Sequence, residues 1–381
     1  GSQTGGVRTR GAVRRSDGKL RWVHVRHEEA GAFAASAEAQ LSGKLAVCAG
    51  SCGPGHLHLI NGLYDAHRSY APVLALVSHI PSEQIGTSYF QETHPELLFR
   101  ECSHFCEMVA NPKQAPRLFR LAAQTALAKG GVSAVVVPGD VAALEAGEDV
   151  PSTFATARPV VRPADAELDR LAQLLNSASR VTVFCGSGCR GAHAEVLALA
   201  KRLQSPGGNA YRGREWVAYD NPYDVGMTGL LGYGAAYEAM HACDVLLLLG
   251  TDFPYDAFMP VKPQIAQVDV RPEHLGRRSR LDLGVCGDVH ETLRALLPRL
   301  EQKEDRRHLE HALEELAKAR RKLDTHVRNV GSHRPLHPEL VASVLDEVAA
   351  EDAVFTVDTG MCNVWSARYL RATAERRIIG S

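Results

Sequence analysis

"WVHVRHEEAGAFAASAEAQLSGKLAVCAGSCGPG", residues 22–55, decides how the chain is read. It opens on the apolar residues Trp22, Val23 and Val25, which read as a short strand. Two carboxylates follow, Glu28 and Glu29. After them comes a run of small residues, with alanine at 30, 32, 34, 35, 37 and 39. Such a run predicts a helix that packs very close to its neighbour. Residues 45–49 are an apolar strand, and residues 49–55 a glycine-rich turn. Helix, buried strand and glycine turn in that order are the unit of an open α/β sheet.

The pattern repeats outward. Residues 72–78 and 132–140 are further unbroken apolar strands, with a helix-length segment at 116–129 between them. Apolar strands separated by helices predict a parallel sheet covered on both faces, hence an α/β fold. Residues 142–163 lose periodicity and gain Pro, Thr and acids, as a linker does. A second set follows, with strands opening residues 181–193, 244–255 and 264–270. Residues 301–330, dense in Glu, Lys and Arg, read as a solvated helix. A third set opens at 337–360. The expected domains are therefore 1–159, 160–312 and 313–381, the last only begun. The first twenty or so residues are atypical: residues 1–19 lack apolar periodicity, and Asp17 is their only acid. One lapse stands out at 204–213, where Pro206, Gly207 and Gly208 oppose a strand.

Composition narrows the class. The 381 residues are 45% hydrophobic and 23% charged, with a net charge of −1. That suits a globular protein with a real core, and nothing in it asks for nucleic acid or an anionic membrane surface. The apolar runs are too short to cross a bilayer, and no secretory signal is visible. Nine cysteines, an odd number set mostly in strand-like runs, predict reduced thiols in a cytoplasmic protein. Cys-x-x-x-Cys occurs at 48/52, 102/106 and 185/189, with His104 inside one pair. The spacing is not that of a structural zinc site, and buried cysteine serves as a small hydrophobe. His56 and His58 form no metal signature by themselves.

Glycine turns carry the first chemical signal. Residues 185–191, "CGSGCRG", follow a strand but depart from Gly-x-Gly-x-x-Gly and are weak evidence alone. "LGTDFPY" (249–255) and "VDV" (268–270) lie at carboxyl ends of parallel strands, where ligands of open α/β sheets bind. Gly250 permits close backbone approach, Thr251 and Asp252 offer polar contacts, and Asp269 suits a ribose hydroxyl. Any one of these residues serves equally as a strand end. Together they predict a nucleotide cofactor.

Residues 26–104, together with "YDNPYDVGMTGLLG" (219–232), "LLLLGTDFPY" (246–255) and "VWSARYL" (364–370), resemble the pyruvate oxidase group of thiamine diphosphate enzymes, and most nearly its quinone-dependent pyruvate dehydrogenases. The resemblance covers residues 25–381. It implies a parallel-sheet pyrimidine-binding domain, a central Rossmann-like FAD domain and a truncated diphosphate-binding domain. Glu28 stands where the group has a glutamate that shares a proton with a thiamine ring nitrogen, which asks for a water-poor setting because burial favours a protonated carboxyl. Glu29 reads as a helix N-terminal acid. Gly53, Pro54 and Gly55 correspond to the turn beneath the pyrimidine, with His58 where many relatives have Asn. Phe90 and Gln91 correspond to the pyruvate side. Thr228, Gly229, Leu230 and Leu231, then Thr251, Asp252, Phe253, Pro254 and Tyr255, and Asp269, correspond to FAD-binding segments.

The implied activity is oxidative decarboxylation of pyruvate to acetate and CO2, with electrons passed through FAD to a quinone. The implied cofactors are thiamine diphosphate, Mg2+ and FAD. The implied assembly is a homotetramer, cytoplasmic or peripheral at the inner face of the membrane. The group's Gly-Asp-Gly…Asn metal motif does not follow Gly360. The resemblance therefore implies an incomplete chain with no metal ligands of its own, inactive alone, whose membrane contact would need a further C-terminal segment. The alternatives are an acetolactate synthase-like carboligase and a non-catalytic FAD-binding module.

Overall fold

The computed structural model describes residues 11–147, 159–328, 330–332 and 334–380. The chain divides into two compact units, Gly1–Pro159 and Val160–Ser381. Residues 313–381 belong to the second. Half of the expected linker at 142–163, and residues 1–10, lie outside the described residues.

The first unit begins with helix α1, Glu28–Ser42. Its acids sit in the first turn, where the helix dipole favours them. Gly43 ends it in the left-handed conformation, its N–H bonded to the Ala39 carbonyl. Strand β1 (Ala46–Gly50) leads through the short helix α2 (Pro54–Leu57) into α3 (Leu59–Arg68). Strand β2 (Val73–His79), strand β3 (Phe105–Met108), helix α4 (Ala115–Lys129) and strand β4 (Val132–Pro138) complete the unit. All four strands are parallel, in the order β1-β2-β4-β3.

The small residues of α1 are explained by α3. Ala32, Ala35, Ser36 and Ala39 are the buried face. A Cβ at Gly62 would lie 2.6 Å from the Ala32 Cβ and 2.7 Å from the Phe33 nitrogen. The two backbones thus approach closer than larger side chains permit, and Ser36 Oγ donates to Asp65 Oδ2 at 2.7 Å across the seam. The expected strand at 22–25 is not formed: the segment joins no ladder, and Trp22 and Val23 are exposed. Apolar residues without a neighbouring strand do not make a sheet.

The second unit contains α5 (Asp165–Ser177), β5 (Val181–Cys185), α6 (His193–Leu203), β6 (Gly207–Asn209), α7 (Tyr211–Val217), β7 (Asp224–Met227), α8 (Ala235–Ala242), β8 (Val245–Leu249), β9 (Gln264–Asp269), β10 (Leu283–Cys286), α9 (Val289–Leu296) and α10 (Arg307–Asp324). Its six parallel strands run β10-β9-β8-β5-β6-β7. The chain winds outward from β5 to β7, then returns to the other side of β5. That is the dinucleotide-fold order, with its switch point between β5 and β8. There the two turns touch, since a Cβ at Gly186 would lie 2.3 Å from the Gly250 carbonyl oxygen. The segment at 204–213 corrects the expectation from its glycines. Gly207–Asn209 is a buried interior strand paired on both sides. Backbone bonds hold its glycines, with Val183 N–H donating to the Pro206 carbonyl (3.0 Å) and Gly207 N–H to that of Tyr223 (2.8 Å), and Asn209 Nδ2 donates to Asp224 Oδ1 at 2.8 Å. The missing side chain lets Ala236 and Phe184 close to 3.1 and 3.2 Å of the place where a Gly208 Cβ would sit.

Helix α10 is amphipathic rather than wholly solvated. Ala312 and Leu316 pack on Val225, Ala235, Ala236 and Ala239, and Leu309 is buried as well. Beyond it, α11 (Pro338–Val348), β11 (Val354–Val357), α12 (Met361–Tyr369) and β12 (Arg377–Gly380) form a small annex. Strand β11 pairs in parallel with β12. The annex is fastened by charge. Asp346 accepts from Arg376 Nη1 at 2.6 Å and from the Arg371 N–H at 2.7 Å. Arg377 Nε donates to Glu215 at 2.7 Å. The Arg377 guanidinium lies 4.5 Å from the Trp216 ring centre, and that of Arg190 lies 5.0 Å from it. Val341, Val344, Leu345 and Val348 of α11 are exposed. Among the described residues no helix is long and apolar enough to cross a membrane.

Candidate functional site

In the first unit, the carboxyl end of β1 passes into Gly50, Ser51, Cys52, Gly53, Pro54 and Gly55. Gly53, with φ +65° and ψ −124°, is in a conformation suited to glycine. Gly50 and Gly55 are glycines for want of room. A Cβ on Gly50 would meet the Gly55 carbonyl at 2.8 Å, and one on Gly55 would lie 2.1 Å from Ser51 Oγ and 3.3 Å from Glu28 Oε1. The start of α1 thus delivers the Glu28 carboxylate to the turn. Its other oxygen is 3.2 Å from His58 Nδ1. His27 stacks on His58, with ring centres 4.4 Å apart and 25° between planes. Glu29 goes elsewhere, accepting from Asn61 Nδ2 and lying 3.7 Å from His27. The adjacent glutamates therefore have different surroundings. The Glu28 side chain is 32% exposed, so the water-poor setting expected for it is not supplied by the residues around it in this unit.

Gln91 is brought to the same turn, and Phe90 is not. Cys52 Sγ lies 3.1 Å from Gln91 Oε1, and the Gln91 side chain fills the space a Gly53 Cβ would take. Phe90, 74% exposed, stands away from the protein. Glu92 closes the loop by accepting from the Gly86 and Tyr89 N–H groups, and the Gly86 amide holds its carboxyl below the usual glutamate range. Residues that sequence reasoning missed include Cys52, Thr93 and His56. No spacing signals them, because the burial of a polar ring depends on which loop folds over it.

In the second unit, the flavin candidates follow the carboxyl ends of β7, β8 and β9. Thr228 is buried, and its hydroxyl has no hydrogen-bond partner. Gly229 (φ +86°) leaves room for the rings of Phe253 and Tyr255, which would lie 2.8 and 3.3 Å from a Cβ there. Leu230 and Tyr255 are exposed, Leu231 is half-buried and Thr251 is buried. Pro254 is exposed beside them. Asp252 accepts from Arg277 at 2.9 Å and from Arg278 at 3.1 Å. Asp269 is buried, accepts from the Arg271 N–H at 2.9 Å and lies 3.5 Å from His274 Nδ1. Burial raises its carboxyl pKa. In this arrangement Asp269 clamps its own loop, so a ribose hydroxyl would have to share that carboxylate.

None of the nine cysteines forms a disulfide. Among the described residues, no three His, Cys, Asp or Glu side chains gather as metal ligands.

Two family matches bear on these sites. Residues 10–97 match the thiamine pyrophosphate enzyme N-terminal TPP binding domain, and residues 168–296 match the thiamine pyrophosphate enzyme central domain. The chain belongs to the thiamine pyrophosphate enzyme family. The first match contains Glu28 and the glycine turn, and the second contains Thr228 to Asp269. A Pseudomonas amyloderamosa protein described as an uncharacterized 42.6 kDa protein in the isoamylase 3′ region is 57% identical over 312 residues, 81% of this chain and 79% of that protein. A putative thiamine pyrophosphate-containing protein of Bacillus subtilis is 35% identical over 381 residues, 97% of this chain and 64% of its own length. The pyruvate oxidase of Lactiplantibacillus plantarum is 31% identical over 374 residues, 95% of this chain and 61% of its own length. This thiamine pyrophosphate enzyme chain thus spans less than two thirds of the latter two relatives.

Proposed function

We propose that this chain provides the pyrimidine side and the flavin side of an enzyme that oxidatively decarboxylates pyruvate to acetate and CO2, passing the electrons through FAD to a quinone. The observation that carries the reading is the Glu28 carboxylate held beside Gly55 of the Gly53–Pro54–Gly55 turn. The two glycines of the turn let Ser51, Gln91 and the Glu28 carboxylate converge on one spot, which supports the reading of a pyrimidine-side site. Bound there, thiamine diphosphate supplies the electron sink for decarboxylation of a 2-oxo acid.

The protein's part is positional. Glu28 would share a proton with a pyrimidine ring nitrogen, and His58, backed by His27, sets the direction of that carboxylate. Gln91 lies over the same turn, where its amide would meet a substrate carboxylate, and the projecting Phe90 would cover the substrate from outside. For the flavin, the partnerless buried Thr228 hydroxyl and the ring-lined gap at Gly229 fit a polar isoalloxazine edge and its flat face. Asp269 is the proposed ribose contact. Mg2+ would accompany the diphosphate. A homo-oligomer in the cytoplasm, with peripheral membrane contact to reach the quinone, completes the proposal.

The test is spectroscopic. Assayed in a protein that also supplies a diphosphate- and Mg2+-binding site, this chain should carry flavin absorbance, and thiamine diphosphate, Mg2+ and pyruvate should bleach it, with quinone restoring it. Acetolactate formed with the flavin unchanged would identify a carboligase instead. Flavin absorbance without any turnover would identify a binding module.

A further inference from the structure

We propose that His56 is a positioning residue that clasps the 86–93 loop onto the glycine turn, with Cys52 and Gly53 completing the clasp. The inference rests on the reading of that turn as the pyrimidine-side site and names what registers the substrate loop against it.

His56 follows Gly55 at the start of α2 and is fully buried. Its Nδ1 lies 2.9 Å from the Ser78 carbonyl oxygen at the end of β2. A carbonyl only accepts, so Nδ1 carries the proton. Nε2 is then an acceptor, and the Thr93 hydroxyl, 2.6 Å away, donates to it. One ring therefore joins the sheet to the exit of the loop. Phe99 meets it edge-on at 5.9 Å and fixes its plane. Burial, the largest influence on it, pushes the imidazole down to about 4, so it stays neutral at neutral pH and keeps this donor–acceptor polarity.

The loop bears marks of being held. Ser88 and Gln91 have φ of +60° and +65°, a conformation that L side chains rarely adopt and that persists where surroundings impose it. For Gln91 the surroundings are Cys52 Sγ and the face of Gly53. The loop is thus closed on itself by Glu92 and anchored at two points, by Cys52 through Gln91 and by His56 through Thr93. His56 touches no substrate in this arrangement. It acts by fixing where Gln91 and Phe90 stand relative to the turn.

The test uses the full chain without ligand. Amide exchange over residues 86–93 should quicken about tenfold in His56→Ala and in Thr93→Val, as expected for one lost hydrogen bond to the loop, while exchange in β4 stays unchanged. Added imidazole should restore slow exchange in His56→Ala. Nitrogen chemical shifts of histidine-labelled wild-type protein should show His56 as the Nδ1–H tautomer. Unchanged loop exchange in Thr93→Val, or an Nε2–H tautomer, overturns the clasp. Both readouts hold even if His56→Ala does not fold. Thiamine diphosphate binding is read separately, by calorimetry on a protein that also supplies a diphosphate- and Mg2+-binding site: absence of binding there overturns the cofactor reading of the turn, whereas the exchange and tautomer results decide the clasp.

Discussion

The His308 Nε2 lies 2.8 Å from the Thr182 hydroxyl, which itself donates to the Ala239 carbonyl at 2.9 Å. Because Thr182 spends its proton on Ala239, His308 is the donor, and this bond ties α10 to the middle of the central sheet. Burial, helped by the positive charge of Arg180, pushes the His308 pKa from 6.5 down to about 4. The unfolded chain takes up this proton below about pH 6.5, and the folded chain does not until about pH 4. Stability from this group is therefore complete above pH 6.5 and is lost progressively as pH falls from 6.5 to 4. The limit is about tenfold in the folding equilibrium per pH unit. His308→Gln should flatten that slope by up to this amount in denaturant melts of the second unit at pH 7, 6 and 5. An unchanged slope would remove the histidine from the account.

Glu28 and Glu29 should behave differently although adjacent. In a protein that also supplies a diphosphate- and Mg2+-binding site, Glu28→Gln should lower pyruvate-dependent flavin reduction by about 10²–10⁴-fold, the range for a proton-transfer group, and leave flavin binding intact. Glu29→Gln, which alters contacts to Asn61 and His27 only, should fall within a few-fold of wild type. Stopped-flow flavin absorbance gives both numbers, and equal losses would dissolve the distinction.

Thr228→Val keeps shape and removes the partnerless hydroxyl. If that hydroxyl meets the flavin, FAD affinity should drop about two- to tenfold, the worth of one neutral hydrogen bond. If it meets nothing, the variant should be slightly more stable and bind FAD as before. Equilibrium dialysis against FAD separates the cases.

How far these sites could be read in advance depended on what carries the information. The α1–β1–turn unit was legible because alanine spacing, an apolar run and paired glycines each report a local requirement. Strand β6 was not, because Gly207 and Gly208 hold their places by backbone bonds and by what packs into the missing side-chain space. The false strand at 22–25 errs the other way, since its apolar residues lack a partner. Glu28 and the turn were visible as motifs. The His56 clasp was invisible, because it joins residues 56, 78 and 93 through a fold the sequence does not display.

Gly62→Ala tests the α1–α3 seam. The new methyl would sit 2.6 Å from the Ala32 Cβ and 2.7 Å from backbone, so helices must part. Overpacking of this kind costs about 1–3 kcal/mol. Thermal melts of the first unit should report it, and the Glu28–His58 geometry should loosen with it.

Asp346→Ala tests the annex. It leaves Arg376, 6% exposed, with a buried charge that has lost its carboxylate. Breaking such a pair costs about 3–5 kcal/mol. The annex should lose its internal packing, seen as new protease cleavage between residues 334 and 377 while the six-stranded sheet stays resistant.

Trp216, held between the guanidinium groups of Arg190 and Arg377, makes detachment of the annex visible as light. One of the two cations belongs to the six-stranded sheet's own turn and the other to the last strand of the annex. The indole's emission is therefore set half by its own neighbourhood and half by the far end of the chain. When the annex leaves, one cation leaves with it and water takes its face. In a chain whose other two tryptophans, Trp22 and Trp365, are replaced, the emission of Trp216 should report whether the annex is docked.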